Sequence, residues 1–249
     1  GLFERFGFGG KKDATLSPNG AQALQSLPSL AGLSEAQVAA GLKSALSNGV
    51  HAAVGKLGVV DGFLKDEAVR IPMPESLKRV ETTLRKLKQT GLADEFVTTM
   101  NRAAEKAVPE AAAVLADSLS KMTLADAKAI LLSTNNAATD YFRRTSTNEI
   151  HARFLPIVRQ ATEQTGVTGA YKRIQDELKG QKLGGLGGLG AIGSNLMGFD
   201  QFDLDGYVTS KCIDGLFLKI GVEEKRIRET TTARTTDLLR QVFGAVSKQ

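Results

Sequence analysis

The chain has one cysteine, no tryptophan, two histidines and six prolines in 249 residues. A single cysteine, Cys212, excludes an intrachain disulfide and any cysteine-cluster metal site. His51 and His151 stand far apart and belong to no HExxH pattern, which argues against the zinc hydrolases. His51 lies near an apolar helical stripe, so it is expected to be a core or boundary residue. No stretch has the length and hydrophobicity of a transmembrane helix. No run of period-two alternation rich in Val, Ile and Thr is found, so no β-sheet is expected. Blocks of one charge are missing too. The 32 basic and 27 acidic residues are mixed along the chain, leaving a net +5. With no tryptophan and no aromatic interleaving, that balance argues against a nucleic-acid partner. Arg5 occupies the position where an N-myristoylation signal needs Ser or Thr.

What is present is helical periodicity, and 42% apolar content is enough to bury a sizeable core. Residues 1–32 read as an irregular lead-in interrupted by Gly7, Gly9, Gly10, Pro18, Gly20 and Pro28, and residues 33–249 as one helical domain. Ser34 and Gln37 form a capping box before Val38, Leu42, Ala45, Leu46, Gly49, Ala53 and Leu57, a stripe of about six turns. A break follows from Gly58 to Pro74, because each proline forces the residue before it into extended backbone. Leu77, Val80, Leu84 and Leu87 mark the next helix. Leu92, Phe96, Met100, Ala103 and Ala107 mark another, ending near Pro109, and an Ala-rich helix runs to Met122. Thr123 with Asp126 caps a helix carrying Leu124, Ala127, Ile130 and Leu131. Ser146 with Glu149 predicts a further helix start before Ile150, Phe154, Ile157 and Ala161, with a kink at Pro156. Gly166 and Gly180 bracket a short helix. Glycines every two or three residues predict a flexible loop at 181–199. Phe202 to about Arg228 and Thr235 to about Val246 read as two closing helices that must pack onto the main body. The expected class is all-α, one multi-helix domain with a glycine-rich loop before its C-terminal helices.

Several motifs imitate chemistry. Gly188 to Gly193 spells G-x-G-x-x-G, but no strand delivers the first glycine, so the tract reads as a linker or as an apolar contact with membrane or partner. Asp203, Asp205 and Gly206 resemble part of a calcium loop, yet position twelve falls on Cys212. Capping of the following helix explains those aspartates better. Ser118 and Lys121 have S-x-x-K spacing without the companion motifs of the penicillin-recognising enzymes. Lys78, Arg79, Arg85, Lys86 and Lys88 give a basic helix face, best read as solvated. Thr139 to Arg143 and Thr236 to Arg240 share a Thr-Asp-x-x-Arg pattern, whose Asp and Arg can pair along one helix or cross-pair with the other segment in a structural ion-pair network.

Taken in order, Ser34–Gly41, Gly62-Phe63, Ile71-Pro72-Met73-Pro74, Met100–Ala107, Met122–Ala127, Ala138–Arg143 and the block Phe202–Gly244 resemble a bacterial domain-of-unknown-function family, number 4197. The resemblance spans residues 34 to 244. It implies a mostly helical protein, periplasmic or otherwise envelope-associated and often lipoprotein-like, although no leader is visible in this chain. No activity, cofactor or catalytic residue comes with it. The glycine tract before Phe199 departs from the family pattern.

The expected function is a non-enzymatic binding or scaffold protein of the bacterial envelope, without cofactor or metal, meeting a protein or lipid-surface partner through the apolar segments Leu2–Phe8 and Leu183–Phe199. The alternative is a small-molecule site or an enzyme site between helices. Its residues are Asn101, Arg102, Glu105, Asp140, Tyr141, Arg143, Arg234 and Asp237, where charge-pairable and hydrogen-bonding side chains are densest. Such a site requires these side chains to converge on one open pocket.

Overall fold

Ser34 starts the first helix as the capping-box pattern predicts. Its hydroxyl accepts from the Gln37 amide at 3.2 Å, while its own amide donates to Gln37 Oε1 at 2.8 Å. The helix, α1, runs Glu35–Leu57, and all seven stripe residues from Val38 to Leu57 are buried. In this computed structural model the described residues are 33–86, 88, 90–133, 136–164 and 203–229. They form helices and connections with no strand among them. The lead-in 1–32, the glycine-rich tract 181–199, the short helix expected between Gly166 and Gly180, and the helix expected from Thr235 lie outside the described residues.

After the 58–74 connection, Pro74 stands at the N-cap of a 3-10 turn Glu75–Leu77, which passes into α2, Lys78–Lys86. Helix α3 spans Thr90–Ala107. Pro109 falls in the 3-10 turn Val108–Glu110, so it separates α3 from α4, Ala111–Lys121, where neither amide loss nor ring clash breaks a helix. Thr123 and Asp126 form the expected reciprocal cap of α5, Leu124–Leu132. Helix α6 spans Ala137–Gln164 and α7 spans Leu204–Glu229.

Two local expectations are corrected. Ser146 and Glu149 do not start a helix, because both lie inside α6 and Ser146 is buried there. The true start, ten residues earlier, is capped from a distance. Glu224 of α7 accepts from the amides of Ala138 (3.1 Å) and Thr139 (2.9 Å) and from the Thr139 hydroxyl (2.8 Å). A carboxylate from another helix thus satisfies orphan amides and complements the positive helix end. His51 is exposed on α1 rather than part of the core. Pro156 lies on the exposed side of α6, and the helix continues through it to Gln164.

The helices pack as one domain. Helix α7 lies along α6 and α1 and also touches α3; α3 packs on α6, and α4 and α5 bridge α1 and α6. Phe96, Phe142, Phe154 and Phe217 from the helices and Phe63 from the 58–74 connection are fully buried in the shared core. Gly215 lets α7 approach the 58–74 connection, since a Cβ there would fall 2.8 Å from the Phe63 ring.

Candidate functional site

Asn101, Arg102 and Glu105 share one face of α3, as i, i+1 and i+4, and that face meets the 58–74 connection. Asn101 Oδ1 accepts from the Ile71 amide at 2.9 Å, and its Nδ2 donates to the carbonyls of Ile71 (2.9 Å) and Val97 (2.8 Å). Glu105 Oε1 accepts from the amides of Phe63 (3.1 Å) and Leu64 (3.2 Å). Arg102 donates to Glu105 Oε2 and to Asp61 Oδ1, both at 2.7 Å. Asp61 adopts a left-handed φ of 71°, an uncommon conformation for a residue with a Cβ. Hydrogen bonds from Lys65 and Arg102 hold its carboxyl below the ordinary aspartate range. Asp61 and Glu105 in turn keep the Arg102 guanidinium protonated above its usual value. The donors and acceptors of these three side chains thus fasten a connection that has no ladder or helix of its own.

The remaining candidates are dispersed. Asp140 is exposed on α6. Arg143 stacks its guanidinium 4.7 Å from the Phe217 ring centroid and lies 3.6 Å from Asp214 of α7. Tyr141 is buried and donates its hydroxyl to the Ser118 carbonyl at 3.0 Å. Arg234 and Asp237 lie outside the described residues, as does the Thr236–Arg240 segment expected to pair with Thr139–Arg143. Asp203 caps α7 as expected, its carboxylate accepting from the Gly206 amide at 2.8 Å.

Tyr141 leads instead to a cleft of about 520 Å³ between α4 and α6, closed at one end by the start of α5. Asp117, Ser118 and Lys121 of α4 face Tyr141, Arg144, Thr145, Glu149 and Arg153 of α6, and Asp126 contributes from α5. The Ser118 and Thr145 hydroxyl oxygens are 2.7 Å apart, and Thr145 donates to the Tyr141 carbonyl at 2.8 Å. Thr145 has a single proton, so in this arrangement Ser118 is the donor in the hydroxyl pair. Lys121 donates to Asp117 at 2.6 Å, and Arg153 to Glu149 at 2.8 Å. The hydrogen bond to Asp117 raises the Lys121 ammonium above its usual value, and burial raises the Tyr141 hydroxyl. Lys121 is thus engaged by Asp117 and Ser118 by Thr145, and no hydrogen bond joins Ser118 to Lys121 among the described residues, so the S-x-x-K spacing does not build a nucleophile–base pair here. Cys212, the other nucleophile class, is fully buried with its thiol pushed far up by desolvation.

The sequence reading proposed Tyr141 as a site residue, set Ser118 and Lys121 aside, gave Asp126 and Glu149 only a capping role, and missed Asp117, Arg144, Thr145 and Arg153. A signal was present in the i, i+4 acid-to-base pairs Asp117 to Lys121 and Glu149 to Arg153. Nothing in the spacing of the two pairs says that they face each other.

The family model described as a protein of unknown function (DUF4197) matches residues 32–244, and the chain belongs to that family. No curated protein and no solved structure matches the chain.

Proposed function

We propose that this family member is a non-catalytic binding or scaffold protein of the bacterial cell envelope, with the cleft between α4 and α6 as its ligand-facing feature. The protonation and pairing of the cleft's polar groups support this reading. Ser118 is turned toward Thr145, Lys121 is held protonated by Asp117, and Glu149 is tied to Arg153. These three groups so arranged recognise a polar molecule and supply no activated nucleophile. The envelope location rests on the resemblance of the motifs to those of exported and lipid-anchored family members.

A thermal-shift screen of the full chain against polar metabolites tests the binding reading, because a ligand of the folded state raises Tm with concentration. The expected result is a hit that Arg144→Gln weakens; conversion of the bound molecule to a product would overturn the non-catalytic part.

A contact with a protein or lipid surface is the second reading, and one observation favours it. Val60 is 75% exposed and Val59 55%, side by side at the start of the 58–74 connection. The two valines line a shallow hollow of about 700 Å³ together with Lys56, Lys65 and Glu67. Cosedimentation with vesicles or retention by envelope extracts, lost in Val60→Asp, is the expected outcome for this reading. Silence in the ligand screen, with vesicles and with extracts together would leave no binding function standing.

A further inference from the structure

We infer that the α4/α6 cleft takes a small zwitterion of the amino-acid or short-peptide class. The inference rests on the reading of the cleft as a binding site and adds its ligand chemistry. Three acidic and three basic side chains line the cleft, so its formal charge is zero. Two of the opposite pairs close within one helix, Asp117 with Lys121 and Glu149 with Arg153. The remaining two charges, Asp126 and Arg144, are on different helices, and neither has an oppositely charged partner among the described residues.

Asp126 accepts from the Thr123 amide at 3.0 Å and from the Thr123 hydroxyl at 2.6 Å, both on Oδ2, and its Oδ1 has no donor among the described residues. Arg144 lies over the Tyr141 ring, 5.7 Å from its centroid. The two charges act on the same phenol in opposite senses, Asp126 opposing its ionisation and Arg144 favouring it. Both line the cleft together with Tyr141, an anion from α5 and a cation from α6, with Ser118 and Thr145 in the same lining.

A simple anion in this cleft would pair with Arg144 and be repelled by Asp126. A simple cation would meet the reverse. A neutral polyol would leave both charges unpaired as it displaced their water, and a charge loses more by such desolvation than a neutral group does. A molecule carrying an ammonium and a carboxylate on a short frame completes both pairs with charge-assisted hydrogen bonds. The volume lies within the roughly 300–1,000 Å³ of small-molecule sites, leaving room for an amino acid or a short peptide.

Titration calorimetry of the full chain at low ionic strength, with L-alanine, L-alanyl-L-alanine and tri-L-alanine, provides the test. The same compounds blocked at the amine by acetylation, or at the carboxylate as amides, serve as comparisons. At least one zwitterion is expected to bind at millimolar concentration or below, and either block is expected to weaken it about tenfold or more. Arg144→Gln should remove the preference for a free carboxylate, and Asp126→Asn the preference for a free amine. Asp126 also belongs to the α5 cap, so Thr123→Ala supplies the control: it loosens the cap, keeps the carboxylate and should retain binding. Equal binding of a blocked form, no binding by any zwitterion, or equal loss in Thr123→Ala overturns the inference. If the broad screen yields an Arg144-dependent ligand of another class, the binding reading stands and only the zwitterion is wrong.

Discussion

Asn101 shows how a polar side chain in a helix can be given over to the backbone of another segment. It satisfies both the amide and the carbonyl of Ile71 from within the core, where neither could reach water. Asn101→Leu keeps the branched shape and strands both groups, so it should destabilise the protein by about 3 kcal/mol in denaturant unfolding. The Asp61 carboxyl is depressed by Lys65 and Arg102, so its contribution is fully present above the ordinary aspartate range, near 3.9. It is lost as pH falls through the lower folded value. Asp61→Asn should accordingly differ from the parent by a constant amount at neutral pH and by less as the pH falls below about 4, in denaturation midpoints measured across pH. Cys212 is buried with a raised pKa and should resist a thiol reagent until the chain is unfolded. The candidate list drawn from charge density mixed two duties. Asn101, Arg102 and Glu105 fasten a connection and Tyr141 lines a cleft, and a hydrogen-bonding side chain looks the same in sequence whichever it does.

At the scale of the element, local caps were legible and the remote one was not. Ser34 with Gln37 and Thr123 with Asp126 are three residues apart, a spacing fixed by the first helical turn, and both caps form as written. Ser146 with Glu149 has the same spacing and caps nothing, because it lies where α6 already has its own carbonyls as partners. Glu224 does the capping of α6 from 86 residues away while also accepting from Arg228 at 2.9 Å. Its replacement therefore removes the acceptor of those helix amides and the carboxylate paired with a largely buried guanidinium. Glu224→Ala should cost about 3 kcal/mol or more, against about 1 kcal/mol for Thr123→Ala. Equal losses in thermal unfolding would show that the two caps matter alike and that the remote carboxylate has no special place.

At the scale of the molecule, α7 is packed against α6, α1 and α3 at once, and Phe217 and Leu216 belong to the same core as Phe63 and Phe154. Helices that share one core lose it together, so the slowest amides of α3, α6 and α7 should exchange with a common free energy equal to that of global unfolding. Earlier exchange of α7 as a block would mean that it forms a separate unit. The sequence by itself determined the helical class, most of the elements, two caps and the family, because apolar residues at a period of 3.6 and caps three residues apart are written within single segments. Only the tertiary structure decided that Glu224 caps α6, that Asn101 and Glu105 hold the 58–74 connection, and that α4 and α6 turn their charged faces toward a common cleft. Those pairings join residues tens of positions apart through the packing of the whole core, and no spacing along the chain records which face of one helix will meet which face of another.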